Sequence, residues 1–287
     1  HCLSLLQVQP THQTFEPMRG WRATFQNAGH IMGAASVLLE VGGRRILFSG
    51  DLGRPDDLLM HAPDAPPAAD TVLIESTYGD RSHPPGTVLD ELGPALARLA
   101  ARGGVAVVPV FAVGRAQTVM YAIAQLKARG EVPSGLRVYL DSPMAVSATE
   151  LFQNHLSETR INRSELHAMA RGTTLVHSVD ESKALARLHG PRVILSASGM
   201  ATGGRVLHHL ALHAGDHRNM IILTGHQAGG TRGARIAAGE KTIRIHGRDV
   251  AIRAEVVQLA TASAHADGDQ LVAWLRSMPS TPRQVYV

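Results

Sequence analysis

The strongest constraint on the fold is an alternation of short apolar runs and helical segments in the middle of the chain. The predicted strands are residues 104–111, 136–140, Arg192–Ser196 and 220–224, and the predicted helices are residues 114–129 and 204–213, with a further helix-prone stretch over 145–171. Strands that alternate with helices usually pack as a mainly parallel sheet covered by helices. The middle of the chain is therefore predicted to form an α/β domain.

On both sides of this segment the pattern is that of hairpins. Before it, strands are predicted over residues 22–26, Ala35–Val41, 45–48 and 71–74, with Gly42-Gly43 joining the second to the third. After it, we predict strands over Thr242–Ile245 and 250–259, a helix over 267–278, and a last strand over 283–287 that lies in the core. The simplest organisation is a layered αβ domain interrupted by an inserted α/β domain.

Composition narrows the class of protein further. Hydrophobic residues make up 44% and charged residues 18% of the 287 residues, which is enough apolar material for a core and excludes a disordered chain. No apolar run approaches the roughly 18 residues of a membrane span. The single cysteine, Cys2, excludes a disulfide framework and a cysteine-rich zinc module, in agreement with a reducing compartment. The net charge of +4 is too small to indicate nucleic-acid binding by itself.

Four titratable residues occupy the same kind of position, at the end of an apolar run and among glycines or other small residues. They are His30, Asp51, Glu75 and His265. Strand ends form the site face of layered αβ folds, and small neighbours let the backbone approach a ligand. Any one of the four could be a capping carboxylate or a structural histidine. Two imidazoles and two carboxylates in this pattern, in a chain with 16 histidines, favour a metal-assisted hydrolytic site.

The segments around these four residues, and two others, follow one another along the chain in an informative order. They are Ala28-Gly29-His30-Ile31-Met32-Gly33-Ala34-Ala35, Phe48-Ser49-Gly50-Asp51-Leu52-Gly53-Arg54, Glu75-Ser76-Thr77-Tyr78-Gly79-Asp80-Arg81, Ser196-Ala197-Ser198-Gly199-Met200, Gly230-Thr231-Arg232-Gly233 and Ser263-Ala264-His265-Ala266-Asp267. In sequence and order they resemble metallo-β-lactamase-fold nucleases of the β-CASP group. Within this group the chain is most similar to bacterial and archaeal RNA-processing enzymes related to the endonuclease of pre-mRNA 3′-end formation.

The resemblance implies an α/β protein: an αββα metallo-β-lactamase fold, present in part, with an inserted α/β β-CASP domain. Residues 1–79 would begin the metallo-β-lactamase domain, residues 80–262 would form the β-CASP domain, and residues 263–287 would be a truncated return to the first domain. The family's His-x-His-x-Asp-His run is not found before His30, and its last metal-binding histidine would follow Val287. We therefore expect a fragment of an active enzyme that lacks both ends and is inactive alone.

The same resemblance assigns metal ligands and catalytic residues. His30 resembles the family's third metal motif, and Asp51 resembles the fourth, the aspartate that bridges two zinc ions. Two ions would lower the pKa of a bridging water to near neutrality and supply a hydroxide that hydrolyses an RNA phosphodiester bond. Glu75 would hold His265 protonated, and His265 would protonate the leaving oxygen. The alternatives for His265 are a further metal ligand or a structural partner of Asp267.

The inserted domain is expected to form the other wall of a cleft and to bind single-stranded RNA through its phosphates. Glycine-rich turns after the predicted strands expose amides and hydroxyls, which suit phosphate. The candidate residues are Arg115, Ser196, Ser198, Gly199, Thr231 and Arg232. Taken singly, these are ordinary strand-to-helix turns. His226 and Ala262 stand where many relatives carry aromatic residues, which bears on substrate detail and not on the chemistry.

The leading hypothesis is thus a zinc-dependent ribonuclease that acts in the cytoplasm. Whether it forms a homodimer is left open by the sequence. A non-catalytic RNA-binding scaffold of the same fold and a small-molecule metallohydrolase are the alternatives, and DNA stays open as a substrate.

A separate group of histidines surrounds one predicted helix end. The group consists of His208, His209, His213 and His217. The spacing of His209 and His213 could bind a metal ion, but we expect a solvated helix face.

Overall fold

The computed structural model describes residues 2–287, which divide into two compact units. The first unit contains the residues up to His83, a short return at Glu158–Arg160, and Ala264–Val287. The second unit contains Pro84–Ser157 and Ile161–Ser263. The return at Glu158–Arg160 was not anticipated from the sequence.

The first unit is built on one six-stranded sheet. Its strands, in spatial order, are β1 (Thr14–Met18), β2 (Trp21–Asn27), β3 (Ala35–Val41), β4 (Arg44–Phe48), β5 (Thr71–Leu73) and β14 (Gln284–Tyr286). The first four are antiparallel, whereas β5 runs parallel to both β4 and β14. Gly42 and Gly43 both have positive φ and connect Val41 to its partner Arg44, which confirms the predicted hairpin.

The core of the first unit lies between this sheet and helix α8 (Gly268–Arg276). Leu47 and Val72 are buried in the sheet, and Leu271 and Trp274 pack in the same cluster from the helix. The predicted location of the last strand in the core is wrong. Strand β14 is the edge of the sheet, and all three of its residues are exposed.

The second unit contains a parallel six-stranded sheet. Its spatial order is β13 (Glu255–Gln258), β10 (Met220–Leu223), β6 (Val105–Pro109), β9 (Arg192–Ser196), β7 (Arg137–Leu140) and β8 (Thr174–Leu175). Every residue of β6, β9 and β10 is buried, as expected for continuous apolar runs in a sheet that is covered on both faces. The predicted α/β domain is therefore present.

Seven helices accompany this sheet. They are α1 (Val88–Arg102), α2 (Arg115–Ala128), α3 (Pro143–Asn154), α4 (Arg163–Arg171), α5 (Val179–Leu185), α6 (Arg205–His213) and α7 (Arg232–Ala237). Short 3-10 helices occur at Cys2–Leu5, Leu156–Glu158 and Ala260–Ala262. No helix in the described range 2–287 is both long enough and apolar enough to span a membrane.

The strand predicted over 250–259 is two strands that belong to different sheets. Strand β12 (Arg248–Ala251) pairs with β11 (Thr242–Ile245) in a separate hairpin, whereas β13 joins the parallel sheet beside β10. Between them the backbone amides of Arg253 and Ala254 both donate to the carbonyl oxygen of Ala214. An apolar run indicates that residues are buried, but not that they belong to one sheet. The sequence analysis therefore predicted a single strand where the structure has β12 and β13.

Burial in the parallel sheet leads to a stability prediction. Leu195 in β9 is fully buried, whereas Leu212 on α6 is 53% exposed. Leu195→Ala should lower the free energy of unfolding by about 2–5 kcal/mol, because it removes apolar contacts and leaves a cavity. The matched Leu212→Ala change should cost less than about 1 kcal/mol. Urea denaturation of both variants measures this, and equal losses would contradict the packing described.

Candidate metal centre

Close backbone approach brings the loops of the first unit together. Gly29 pairs with Leu52, and Gly53 pairs with His265, each as an isolated β-bridge. A Cβ atom at Gly53 would lie 1.9 Å from the carbonyl oxygen of Gly29, so only glycine fits there. Gly50 has φ +58°, and its added Cβ would lie 2.7 Å from the carbonyl oxygen of Ala35. The small residues of these loops are therefore a steric requirement of the site.

These loops place three side chains with metal-binding atoms side by side. His30, Asp51 and His265 each offer one such atom, and the three atoms lie within 4.8 Å of one another. His30 Nε2 is 3.8 Å from Asp51 Oδ2, and the ring centroids of His30 and His265 are 4.2 Å apart. No second group of this kind occurs in the part of the chain that the structure describes.

Glu75 lies against this group and contacts His265. Both carboxylate oxygens of Glu75 are 3.2 Å from His265 Nδ1. One of these oxygens also accepts the backbone N–H of Leu52, and the other accepts the backbone N–H of Thr77 at 3.3 Å. The sequence analysis expected His30, Asp51, Glu75 and His265 to meet, and the structure brings them together. The role of each in metal binding or proton transfer stays a prediction.

The electrostatics of the site fix two protonation states at neutral pH. Burial, together with the neighbouring His265, lowers the pKa of His30, so its imidazole is neutral and can donate a lone pair. Burial alone would raise the pKa of Glu75, but the hydrogen bonds from His265, Thr77 and Leu52 outweigh burial and lower it. Glu75 is therefore an ionised hydrogen-bond acceptor.

The donor set fits a zinc ion. His30 Nδ1 is buried and has no hydrogen-bond partner, and an unsatisfied buried polar atom usually costs about 1–3 kcal/mol. His30 offers an imidazole nitrogen and Asp51 a carboxylate oxygen, which are donor types that catalytic zinc sites use, and His265 lies beside them. The Asp51 side chain is 60% exposed, so this carboxylate stays accessible from solvent.

Two further residues support His265, and the sequence analysis did not single them out for this. His83 Nε2 is 2.9 Å from the backbone oxygen of His265, and the backbone N–H of His83 donates to Asp267 Oδ2 at 2.7 Å. Tyr78 stacks on His265 with ring centroids 6.1 Å apart. Asp267 is the N-cap of α8 and forms a capping box with Gln270. The Asp-x-x-Gln spacing was a readable signal for that cap, but nothing local indicates His83.

The predicted phosphate-binding residues lie in the second unit, where they have protein partners. Arg115 is largely buried and donates to the carbonyl oxygen of Thr224. The hydroxyl of Ser196 is buried and donates to the carbonyl oxygen of Asp141 at 2.8 Å. The Ser198 hydroxyl lies 2.8 Å from the hydroxyl of Thr202. These contacts anchor strand ends, so the phosphate-binding role of these residues stays a prediction.

The turn before α7 is anchored in a similar way. Thr231 is the N-cap of this helix and accepts the backbone N–H of Ala234 at 3.1 Å. Arg232 Nε donates to the carbonyl oxygen of Arg244 at 2.7 Å, and its Nη1 contacts the carbonyl oxygen of Ala201. Arg232 therefore ties the β11–β12 hairpin to a neighbouring loop, and its expected contact with RNA also stays a prediction.

The expectation of a solvated histidine face on α6 is wrong for two of its members. His209 and His213 are buried. His209 Nε2 lies 2.6 Å from Asp141 Oδ2, and Asp141 Oδ1 accepts a hydrogen bond from Arg205 Nη1 at 2.7 Å. Burial, then the charges of Arg192 and His209, lower the pKa of His213 to about 4. Helical spacing placed both imidazoles on the inward side, where they act as core residues.

Two family models match the chain. The Beta-Casp domain matches residues 116–236, within the second unit. The Zn-dependent metallo-hydrolase RNA specificity domain matches residues 249–287, which include His265, α8 and β14.

Several curated proteins are similar to almost the whole chain. A ribonuclease of Thermus thermophilus is 38% identical over 262 residues, which cover 89% of the chain and 60% of that protein. An RNase J-like protein of Methanocaldococcus jannaschii is 34% identical over 268 residues, covering 91% of the chain and 62% of that protein. The endoribonuclease Ysh1 of Schizosaccharomyces pombe is 31% identical over 261 residues, covering 89% of the chain and 34% of that protein. The chain thus spans about 60% of the length of the first two relatives.

The buried His213 predicts a pH dependence of stability. The pKa of His213 is about 4 in the folded state, below the ordinary histidine value of 6.5, so the unfolded state binds more protons between these pH values. Folding stability should therefore fall as the pH falls, with about 2 kcal/mol lost through this group between pH 7 and pH 5. Urea unfolding at both pH values should show a smaller loss in His213→Leu. The exposed His217→Gln is the control, and an unchanged loss in His213→Leu would contradict the prediction.

Proposed function

We propose, since the chain belongs to the β-CASP group of the metallo-β-lactamase fold, that the full-length protein is a zinc-dependent ribonuclease. The observation that carries this proposal is the cluster of His30, Asp51 and His265 beside the ionised Glu75. Relatives that are named ribonuclease or endoribonuclease support RNA as the substrate. The proposal concerns the whole protein, because the chain spans only part of those relatives. We also propose that it acts in the cytoplasm, because a single cysteine agrees with a reducing compartment.

In this proposal His30 and Asp51 would hold zinc, and the Asp51 carboxylate would serve two ions. Asp51 suits a shared position because its carboxylate has two oxygens and is exposed. His30 suits a ligand position because its imidazole is neutral and its buried Nδ1 has no hydrogen-bond partner. Zinc bound there would supply Lewis acidity, which lowers the pKa of a water molecule and polarises a phosphoryl oxygen.

His265 is the proposed general acid, and Glu75 is its positioning residue. The two Glu75 oxygens, each 3.2 Å from His265 Nδ1, hold the imidazole in one orientation. Attack by water forms the new bond to phosphorus, and as the bond between phosphorus and the leaving oxygen breaks, His265 gives that oxygen the proton on Nε2, because Nδ1 faces Glu75. The backbone hydrogen bonds from Leu52 and Thr77 keep Glu75 ionised, so it holds His265 in place without competing for the proton.

Zinc binding tests the ligand assignment. His30→Asn and Asp51→Asn should each weaken zinc binding by this chain at least about tenfold, because each removes a donor from a small set. Isothermal titration with zinc chloride measures the affinity. His208→Asn, an exposed histidine on α6, is the matched control and should bind zinc like the unchanged chain. Unchanged affinity in both site variants would refute the assignment.

Proton transfer is tested by cleavage of a labelled single-stranded RNA in the full-length protein. Glu75→Gln and His265→Ala should each lose about 10²–10⁴-fold in rate while they retain zinc. The double variant should lose little more than either alone, because the two residues act as one unit. Metal analysis after dialysis accompanies every assay.

Other outcomes identify the competing functions. If His265→Ala empties the metal site, His265 is a ligand and the general acid must be sought elsewhere. Binding of RNA without cleavage by the zinc-loaded protein would indicate a scaffold. Hydrolysis of small esters with no cleavage of RNA would indicate a small-molecule metallohydrolase.

A further inference from the structure

The second unit contains a cavity of about 610 Å³ at the ends of its central strands. Its walls come from the segments that follow β6, β7 and β9. The lining is mostly apolar and includes Val110, Phe111, Pro143, Met144 and Met200, together with Gly199, Gly203 and Gly204. Cavities of roughly 300–1,000 Å³ are typical of small-ligand sites, so one nucleotide fits this space.

Phe111 gives this cavity an accessible aromatic ring. The residue is 43% exposed, although the strand before it is completely buried. On one side the ring lies directly against Gly199, where an added Cβ would be 2.9 Å from the Phe111 ring carbon Cδ2. The glycine therefore lets the ring pack on the backbone and fixes its position. Met144, which is 69% exposed, supplies a second accessible apolar side chain in the lining.

The charges in the lining do not favour a phosphate. Among the described lining residues, the cation is Arg205, and its Nη1 donates to the carboxylate of Asp141 at 2.7 Å. Asp141 is fully buried and also contacts His209 Nε2 at 2.6 Å. The cation is thus neutralised by the cavity's own carboxylate, and an added anion gains little. A flat apolar ligand, by contrast, can pack against both the aromatic and the aliphatic side chains of the lining.

Two hydroxyls give the cavity a polar edge. Ser198 Oγ and Thr202 Oγ1 are 2.8 Å apart, and both residues belong to the lining. Hydroxyls both donate and accept hydrogen bonds, so they can meet the polar edge of any base. An apolar floor, one fixed aromatic face and an adaptable polar edge together match the surface of a nucleobase.

We propose that this cavity binds a nucleobase of single-stranded RNA, stacked on Phe111. The inference rests on the proposed function only in taking RNA as the ligand. It replaces the expectation of a phosphate at Ser198 and Gly199 with a base. Because every base has an aromatic face, the site tolerates different sequences and strengthens binding without selecting one base.

An RNA-binding assay under conditions that prevent cleavage tests the proposal. The zinc-free chain, in the presence of EDTA, is titrated with a fluorescently labelled oligoadenylate and with an abasic oligonucleotide of the same length. Phe111→Leu keeps an apolar side chain but removes the ring, so it should weaken oligoadenylate binding by about 5- to 100-fold. Affinity for the abasic ligand should not change. Phe111→Tyr retains an aromatic ring and should bind oligoadenylate like the unchanged chain. Phe15→Leu, in the first unit, is the matched control and should also leave binding unchanged.

A second variant tests the fixed position of the ring. Gly199→Ala should displace Phe111 and weaken oligoadenylate binding in the otherwise unchanged chain. In a chain that already carries Phe111→Leu, the same change should have little further effect, because the two residues act through one contact. Circular dichroism of each variant establishes that it is folded.

The results separate this proposal from the proposed function. Equal weakening for the base-containing and abasic ligands, or no weakening for either, would overturn the nucleobase site. Equal affinity of the unchanged chain for both ligands would also overturn it. If base-dependent binding is lost in Phe111→Leu but the zinc-loaded full-length protein cleaves no RNA, the nucleobase site stands and the ribonuclease proposal fails.

Discussion

The close approach of Gly53 to Gly29 is the constraint on which the candidate metal centre depends. A side chain at Gly53 would lie 1.9 Å from the carbonyl oxygen of Gly29, so the backbones can meet only if this residue has none. The same segment then pairs with His265 through a second bridge. Three loops that are distant in sequence are therefore held at one point by main-chain contacts. The positions of His30 and His265 follow from that point.

The parallel sheet of the second unit was the most predictable part of the fold. Strand β9 has the predicted limits, and β6 and β10 lie within the predicted runs, because strands buried on both faces are continuously apolar. Helix α1 was overlooked, although Thr87 and Asp90 form a capping box and Gly103 ends the helix at φ 67°. The split between β12 and β13 could not be predicted, since it depends on the carbonyl oxygen of Ala214, far away in sequence.

The meeting of the four candidate site residues could be predicted because each one ends an apolar run among small residues. The contacts of His209 could not be predicted, because histidine counts as a polar residue when the periodicity of a helix is read from the sequence. Its burial depends on Asp141, which accepts hydrogen bonds from Ser182 and Arg205 as well. Burial would raise the pKa of Asp141, but these hydrogen bonds lower it, so a carboxylate stays ionised inside the second unit. Such a network is visible only when side chains from three separate segments are seen together.

The hydrogen bond from the Leu52 main chain to Glu75 has a consequence for how this site can be dissected. Leu52 follows Asp51 directly, so a single peptide unit joins Asp51, the proposed metal ligand, to the carboxylate that contacts His265. The donor is an N–H group that nineteen of the twenty coded amino acids carry, proline being the exception. Side-chain substitutions other than proline therefore cannot remove the hydrogen bond from Leu52 to Glu75. Replacing the Leu52 amide by an ester through chemical ligation would remove the donor and leave every side chain in place. This single-atom change would measure how strongly the proposed metal binding by Asp51 and the proposed proton transfer by His265 are coupled.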